Sequence, residues 1–385
     1  VTHLTRLRAA ALLAPLVAVA VITTGLAAPA SAHRAAEPGP TSYAHPGPYG
    51  VGERTMKLPS GARVEVWYPA RKAAVAGQPI GTYDVVDWLP DLLAQLVPEG
   101  ASVAYPSGGV RAVPVARGPF PLVVFSHGFA GFRDQSTFLT SALASWGFVV
   151  AAPDHPSRNL TKVLGGPAGQ TTDVQDLQAT ITLLAKRNAP RRSWLHDRLD
   201  LRHIGAVGHS AGGRAVENLA VADRRVDTFV GLAGASVGAL DDAAPAVPDK
   251  PGLLMAGTAD TIVTLDRMEQ AYAAMSAPKR LVLLGGAGHL AFSDLCEVGA
   301  SDGGLIALAD LLGVPIPASL VPLATDGCID PVLPATQAWP AIEHVVVAHL
   351  RAVFGIDRTG SALDGLVEAY PGIVTDSRSD GWTAP

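Results

Sequence analysis

The sequence predicts an α/β fold in which a mostly parallel central sheet is flanked by helices. Three observations carry that reading. The apolar run His203 to Val207 passes through the turn Gly208-His209-Ser210-Ala211-Gly212 into a helix-compatible segment, Ala211 to Ala222. Two later apolar runs, Gly252 to Ala256 and Arg280 to Leu284, each lead into small residues and then a titratable side chain, Asp260 in one case and His289 in the other. An earlier run, Leu122 to Phe125, ends in Ser126-His127-Gly128-Phe129-Ala130-Gly131. Short continuous apolar runs bounded by glycine and separated by helical stretches are the pattern of strands buried on both faces.

The remaining elements follow in chain order. His3, Arg6 and Arg8 precede an apolar run from Ala9 to Leu26 and then Ala30-Ser31-Ala32, which reads as a signal peptide over residues 1–32. The expectation is a secreted, extracellular protein without a stable membrane anchor. Residues 33–48, rich in Pro, Gly and Ala, are expected to be a flexible leader. Residues 49–385 read as one domain, because no linker interrupts Leu122 to Gly355 and a 48% hydrophobic content suffices for a single core. Two insertions exceed a minimal fold of this class. Residues 81–117 include Val85 to Leu96, spaced for a short helix interrupted at Pro90, and residues 302–328 include a helical pattern from Leu305 to Leu312. Either can border the mouth of a site; surface elaboration is the expectation for both. Thr336 to Phe354 reads as a closing helix and Ser361 to Pro385 as a short appendage.

The chemistry begins at Ser210. A serine at the tip of a strand-turn-helix with glycines two residues to either side stands out over the sheet edge, and the helix that follows aims its positive end at a developing oxyanion. Such a hydroxyl needs a base and an orienting carboxylate, and His289 and Asp260 occupy downstream strand ends in the order Ser, Asp, His. Asp266 and Asp294 rank below Asp260, the first because it falls where a helix through Met268 and Tyr272 has begun, the second because it follows the histidine on one loop. The backbone N–H groups of Phe129 and Ala211 are the expected oxyanion donors, with the Phe129 ring walling an acyl pocket. His127, His155 and His209 read as supporting loop residues.

These residues carry a resemblance to a known family. Ser126-His127-Gly128-Phe129, Gly131-Phe132-Arg133, Trp146 to Ala152 and Ile204 to Ser210 resemble the α/β-hydrolase branch that contains the platelet-activating-factor acetylhydrolases and chlorophyllases, and Val64 to Pro69 resembles an opening strand of these enzymes. The Asp260-Thr261-Ile262-Val263 loop is similar to that of bacterial cutinase-like polyesterases. The resemblance covers roughly Tyr49 to Gly355. It implies an α/β-hydrolase fold and a lipase-like or esterase-like activity, with Ser210, Asp260 and His289 as triad and Phe129 and Ala211 as oxyanion donors. Ala211 departs from the bulky residue frequent there in the acetylhydrolases.

Net charge of −5 and the lack of a basic cluster argue against nucleic acid as a partner. No metal-ligand spacing or phosphate loop is present in the sequence, so no cofactor and no metal are expected. The two cysteines, Cys296 and Cys328, are an even pair in a chain expected to be exported, which favours a disulfide. The expected partner is a small-molecule or lipid ester substrate, or a polyester, and the protein is expected to be a monomer. The rival within the class is a cutinase-like polyester hydrolase; the rival outside it is a non-catalytic binding module on the same fold, against which the intact Ser, Asp and His argue.

Overall fold

The computed structural model describes residues 1, 37–236 and 247–382. Apart from Val1, the expected signal peptide lies outside the described residues, as do the first four residues of the expected leader. Residues Glu37–Pro385 form one unit.

Twelve strands are described in chain order: β1 Gly50–Lys57, β2 Arg63–Ala70, β3 Thr82–Asp84, β4 Ala104–Pro106, β5 Val110–Arg111, β6 Phe120–Ser126, β7 Val149–Pro153, β8 Leu199–His209, β9 Thr228–Leu232, β10 Gly252–Gly257, β11 Lys279–Leu284 and β12 Val374–Asp380. Ten of them form the main sheet in the order β12-β11-β10-β9-β8-β6-β7-β2-β1-β5, and β3 pairs with β4 alone. The run from β7 through β6, β8, β9 and β10 to β11 is parallel throughout. β2 is antiparallel to β7, and β12 is antiparallel to β11.

The two-residue period of a strand explains why β6 is buried at every position and apolar from Phe120 to Phe125. Val123 and Phe125 point into one core, against Leu139 and Leu143 of the helix Thr137–Ser145 and Val345 and Val346 of the helix Ala335–Val353. Leu122 and Val124 point into the other, with Leu177 and Ile181 of Asp173–Asn188, Val216 of Ala211–Ala222 and Met268 of Leu265–Ala274. Helices on both faces leave no solvated side, so the alternation of a half-exposed strand disappears.

Three expectations change. The C-terminal appendage is part of the sheet: Leu363, Leu366, Tyr370 and Val374 join the first core, and β12 closes one edge. Its sequence, Val-Thr-Asp-Ser-Arg-Ser-Asp, hides this, since an edge strand kept polar on its outer face carries little apolar periodicity. The expected leader is tied down at Tyr43, which is buried, donates to Asp357 Oδ2 at 2.5 Å and stacks on His344. The insertions are not surface elaboration either. Tyr83, Trp88 and Val103 of the first pack with Leu308, Leu312 and Val314 of the second in a third core, with Phe132 between them. The helical pattern around Pro90 resolves into a single 3-10 turn, Val85–Trp88, and a short helix, Asp91–Ala94; the second insertion carries the helix Gly304–Leu311.

Asp154, at the end of β7, fastens the first insertion to the sheet. It accepts from Trp88 Nε1 at 3.0 Å and from Arg133 Nη1 at 2.8 Å, and the Arg133 guanidinium lies 4.5 Å over the Trp88 ring. Bonds to charged groups that are nearly buried hold more tightly than their surface counterparts.

Candidate active site

At the end of β8 the chain makes the turn that its glycines foretell. Ser210 has φ 56° and ψ −122°, a conformation that residues other than glycine rarely adopt, that costs about 1–3 kcal/mol and that persists only where its surroundings hold it. Here they do: Ser210 N–H donates to Leu232 O at 2.9 Å, and Gly213 N–H donates to Ser210 O at 2.9 Å. The neighbours must be glycine because backbone crowds them. A Cβ on Gly208 would sit 2.1 Å from Gly212 O, and one on Gly212 would sit 2.0 Å from Ser126 O. Ala211 opens the helix, so its N–H is one of the unpaired donors of a helix start.

Asp260 and His289 are brought together from the loops after β10 and β11. Asp260 Oδ2 lies 2.8 Å from His289 Nδ1, and both side chains are buried. The other carboxylate oxygen accepts the N–H groups of Ile262 and Val263 at 2.8 Å each. A carboxylate at Nδ1 makes that nitrogen the donor and leaves Nε2 as the ring's proton acceptor. His289 and Ser210 line the same cavity.

Two residues absent from the sequence reading position these loops. Asp326, in the second insertion, takes His289 N–H on Oδ1 at 2.6 Å and Thr261 N–H on Oδ2 at 3.0 Å, with the Thr261 hydroxyl on the same oxygen. One carboxylate thus clamps the acid loop to the histidine loop. Gln135 accepts Gly128 N–H on Oε1 at 2.9 Å, and its amide nitrogen lies 2.9 Å from His209 Nδ1. His209 Nε2 in turn lies 3.0 Å from His289 O, so Nε2 is the donor and Nδ1 accepts from Gln135. Burial first, and the neighbouring His289 second, push the His209 pKa well below the ordinary range, which keeps the ring neutral. An Asp-Gly turn before a cysteine is the only local hint of Asp326; nothing in the sequence singles out Gln135, because its bond to Gly128, seven residues back, has no spacing signature and its partner His209 is 74 residues on.

The expected oxyanion loop is held from one side. Arg158 Nη1 donates to Gly128 O at 2.6 Å and also to His127 O, and His127 Nδ1 lies 2.8 Å from Gly128 O. In a trans peptide the C=O and the following N–H point in opposite directions. Pinning Gly128 O against Arg158 therefore turns Phe129 N–H the other way. Phe129 is 47% exposed and lines the cavity, so it is a wall and not a core residue.

The competing side chains have other duties. Asp266 is exposed in the first turn of the helix Leu265–Ala274. Asp294 is buried and caps the helix Thr137–Ser145 from a distance, accepting Thr137 N–H at 2.5 Å, Thr137 Oγ1 at 2.6 Å and Phe138 N–H at 3.2 Å. Burial raises its pKa to about 7 against these bonds. His127 Nε2 accepts His155 N–H at 3.0 Å, and His155 is held between Ser126 Oγ at 2.9 Å and Asp176 Oδ2 at 3.2 Å. Cys296 and Cys328 are disulfide-bonded, with Cα atoms 5.1 Å apart. Among the described residues, no group of three or more His, Cys, Asp or Glu side chains is placed to hold a metal ion, and no helix is long and apolar enough to cross a membrane.

The cavity is open at its mouth, and the empty space about it, open solvent included, is about 1050 Å³. Ser210, His209 and His289 stand at its polar end, and both insertions contribute to its walls, Val86 and Leu89 from the first and Leu308 and Leu312 from the second.

Comparison with known proteins agrees with this architecture. Residues 65–175 match the family described as platelet-activating factor acetylhydrolase, isoform II. The chain is 29% identical over 133 residues to a bis(hydroxyethyl) terephthalate hydrolase of Streptomyces coelicolor, an alignment that covers 34% of this chain and 37% of that relative. The chain thus spans well under half the length of that curated relative. A ferulic acid esterase from Streptomyces cinnamoneus shares the fold, with a TM-score of 0.55 and 23% identity over 89% of this chain and all of that one. In its sheet order and its strand-turn-helix, the chain has the α/β-hydrolase fold.

Proposed function

We propose that the protein is a secreted serine hydrolase that cleaves carboxylic esters through an acyl-enzyme. The observation that carries this reading is the Asp260–His289 pair at 2.8 Å opening on the same cavity as Ser210. Ser210 attacks the ester carbonyl while His289 Nε2 takes its proton. The tetrahedral oxyanion accepts from the N–H groups of Phe129 and Ala211, and the imidazolium returns its proton to the leaving alcohol. A water, deprotonated by His289, then releases the acid and regenerates Ser210. Asp260 keeps the imidazole in the tautomer that both halves require. The relatives named as ester hydrolases support the class. Secretion is supported by the N-terminal sequence pattern.

The terephthalate-hydrolase match supports polyester hydrolysis as the second reading. The first test is labelling by a fluorophosphonate together with hydrolysis of p-nitrophenyl butyrate. Wild type should label and turn over; Ser210→Ala should do neither, with a loss of several orders of magnitude. Residual activity within about tenfold of wild type would remove Ser210 from its role, and release of soluble products from a polyester film would favour the second reading.

A further inference from the structure

The wall of the cavity is more informative about substrate than its chemistry. The polar side chains lining it are Gln135, His209, Ser210 and His289, and these belong to one connected end: Gln135 reaches His209 at 2.9 Å, and His209 reaches the His289 carbonyl at 3.0 Å. Beyond that end the lining side chains are apolar, without a carboxylate, an ammonium, a guanidinium or a hydroxyl. Several separate elements contribute. Val86 and Leu89 come from the first insertion, Leu160 and Leu164 from the loop-helix after β7, and Leu308 and Leu312 from the helix Gly304–Leu311 and its end. Spacings of three and four residues set such pairs on one helical face. The two insertions are joined by their own core around Phe132, so the wall is a built surface.

A ligand with oxygen or charge at its far end would lose hydration here without a side chain to replace it. Among ring side chains, Phe129 and Phe132 border the cavity and the rest of the apolar wall is aliphatic. Resting on the esterase reading for the bond that is cleaved, we propose that this wall binds the uncharged, flexible aliphatic chain of a medium-chain ester. The chain can be carried by the acid or by the alcohol; the recognition chemistry is the same.

Burial of one methylene is worth about a fourfold change in an equilibrium, so the six carbons between acetate and octanoate, or between ethyl and octyl, set an upper limit of roughly three to four orders of magnitude. Two ester series separate the sources: p-nitrophenyl acetate, butyrate and octanoate for the acid, and ethyl, butyl and octyl acetate for the alcohol. In one of the series kcat/KM should rise at least about tenfold from the shortest to the longest chain, and p-nitrophenyl benzoate should fall below octanoate. Leu164→Glu should cut the octanoate-to-acetate ratio at least about tenfold, while Leu164→Trp should move the optimum to shorter chains; fluorophosphonate labelling of both variants establishes that they fold. A readout apart from turnover is displacement of N-phenyl-1-naphthylamine from Ser210→Ala by ethyl octanoate, which Leu164→Glu in the same background should abolish. If both series are flat or falling while Ser210 still turns over acetates, the chain proposal is overturned and the esterase reading stands. If no ester is hydrolysed and Ser210 takes no label, but ethyl octanoate displaces the dye, the esterase reading falls and chain binding stands.

Discussion

Asp326 is the sharpest test of how the site is assembled, because it belongs to an insertion and yet touches both loops that carry Asp260 and His289. Asp326→Ala removes a charged acceptor from His289 N–H at 2.6 Å and from Thr261 N–H at 3.0 Å. A hydrogen bond to a charged group contributes about 1.5–3 kcal/mol when buried. His289 is buried but Thr261 is exposed, so the pair sums to roughly 2–4 kcal/mol. The larger consequence is geometric. With the clamp gone, His289 can drift relative to Ser210, and a misplacement of about 1 Å costs on the order of a hundredfold in rate. Steady-state kinetics on p-nitrophenyl butyrate should show kcat falling by that amount with KM nearly unchanged, since Asp326 is not among the residues lining the cavity. Asp326→Asn keeps one acceptor oxygen for one of the two N–H groups and should fall between wild type and alanine. A kcat for Asp326→Ala within about threefold of wild type, measured well below its melting temperature, would refute the clamp.

Three further outcomes follow from the same structure. Asp260→Asn should lower kcat by about four orders of magnitude, because the amide favours the wrong imidazole tautomer, whereas Asp266→Asn, exposed in a helix, should leave it within about twofold; the reverse ranking would reassign the acid. Opening the Cys296–Cys328 bond, which spans 32 residues, should destabilise the fold by roughly 3–4 kcal/mol on the chain-entropy estimate; urea melts with and without reductant measure it, and coincident melts would refute its structural role. Asp294, whose carboxyl is raised to about 7 from an unfolded value near 4, binds its proton more tightly in the native state. Its contribution to stability is therefore greatest below about pH 4 and is lost as pH rises through about 7. The stability of wild type minus that of Asp294→Asn should shrink between pH 5 and pH 8, and a difference independent of pH would sink this account.

Local chain chemistry determined a large part of this molecule. Gly208 and Gly212 around Ser210 announced a turn that no larger side chain can make, and the apolar runs ending at Asp260 and His289 announced parallel strands buried on both faces. Those signals are short-range: a backbone conformation, a run of five or six residues, a residue at a strand end. The cysteine pair was legible for a similar reason, since only one pairing exists. Tertiary structure alone decided the rest. The polar sequence of β12 carries no periodicity that marks it as a strand, because its outer face meets water and its place depends on the free edge of β11. The insertions looked like decoration because each is too short to bury its own apolar face; together, around Phe132, they form a core and the wall of a cavity. Asp326 and Gln135 are unremarkable in sequence; the N–H groups that Asp326 accepts lie 37 and 65 residues away, and Gln135 meets the His209 ring across 74. A hydrogen bond between distant segments leaves no trace in either segment's propensity, so only the folded chain reveals it.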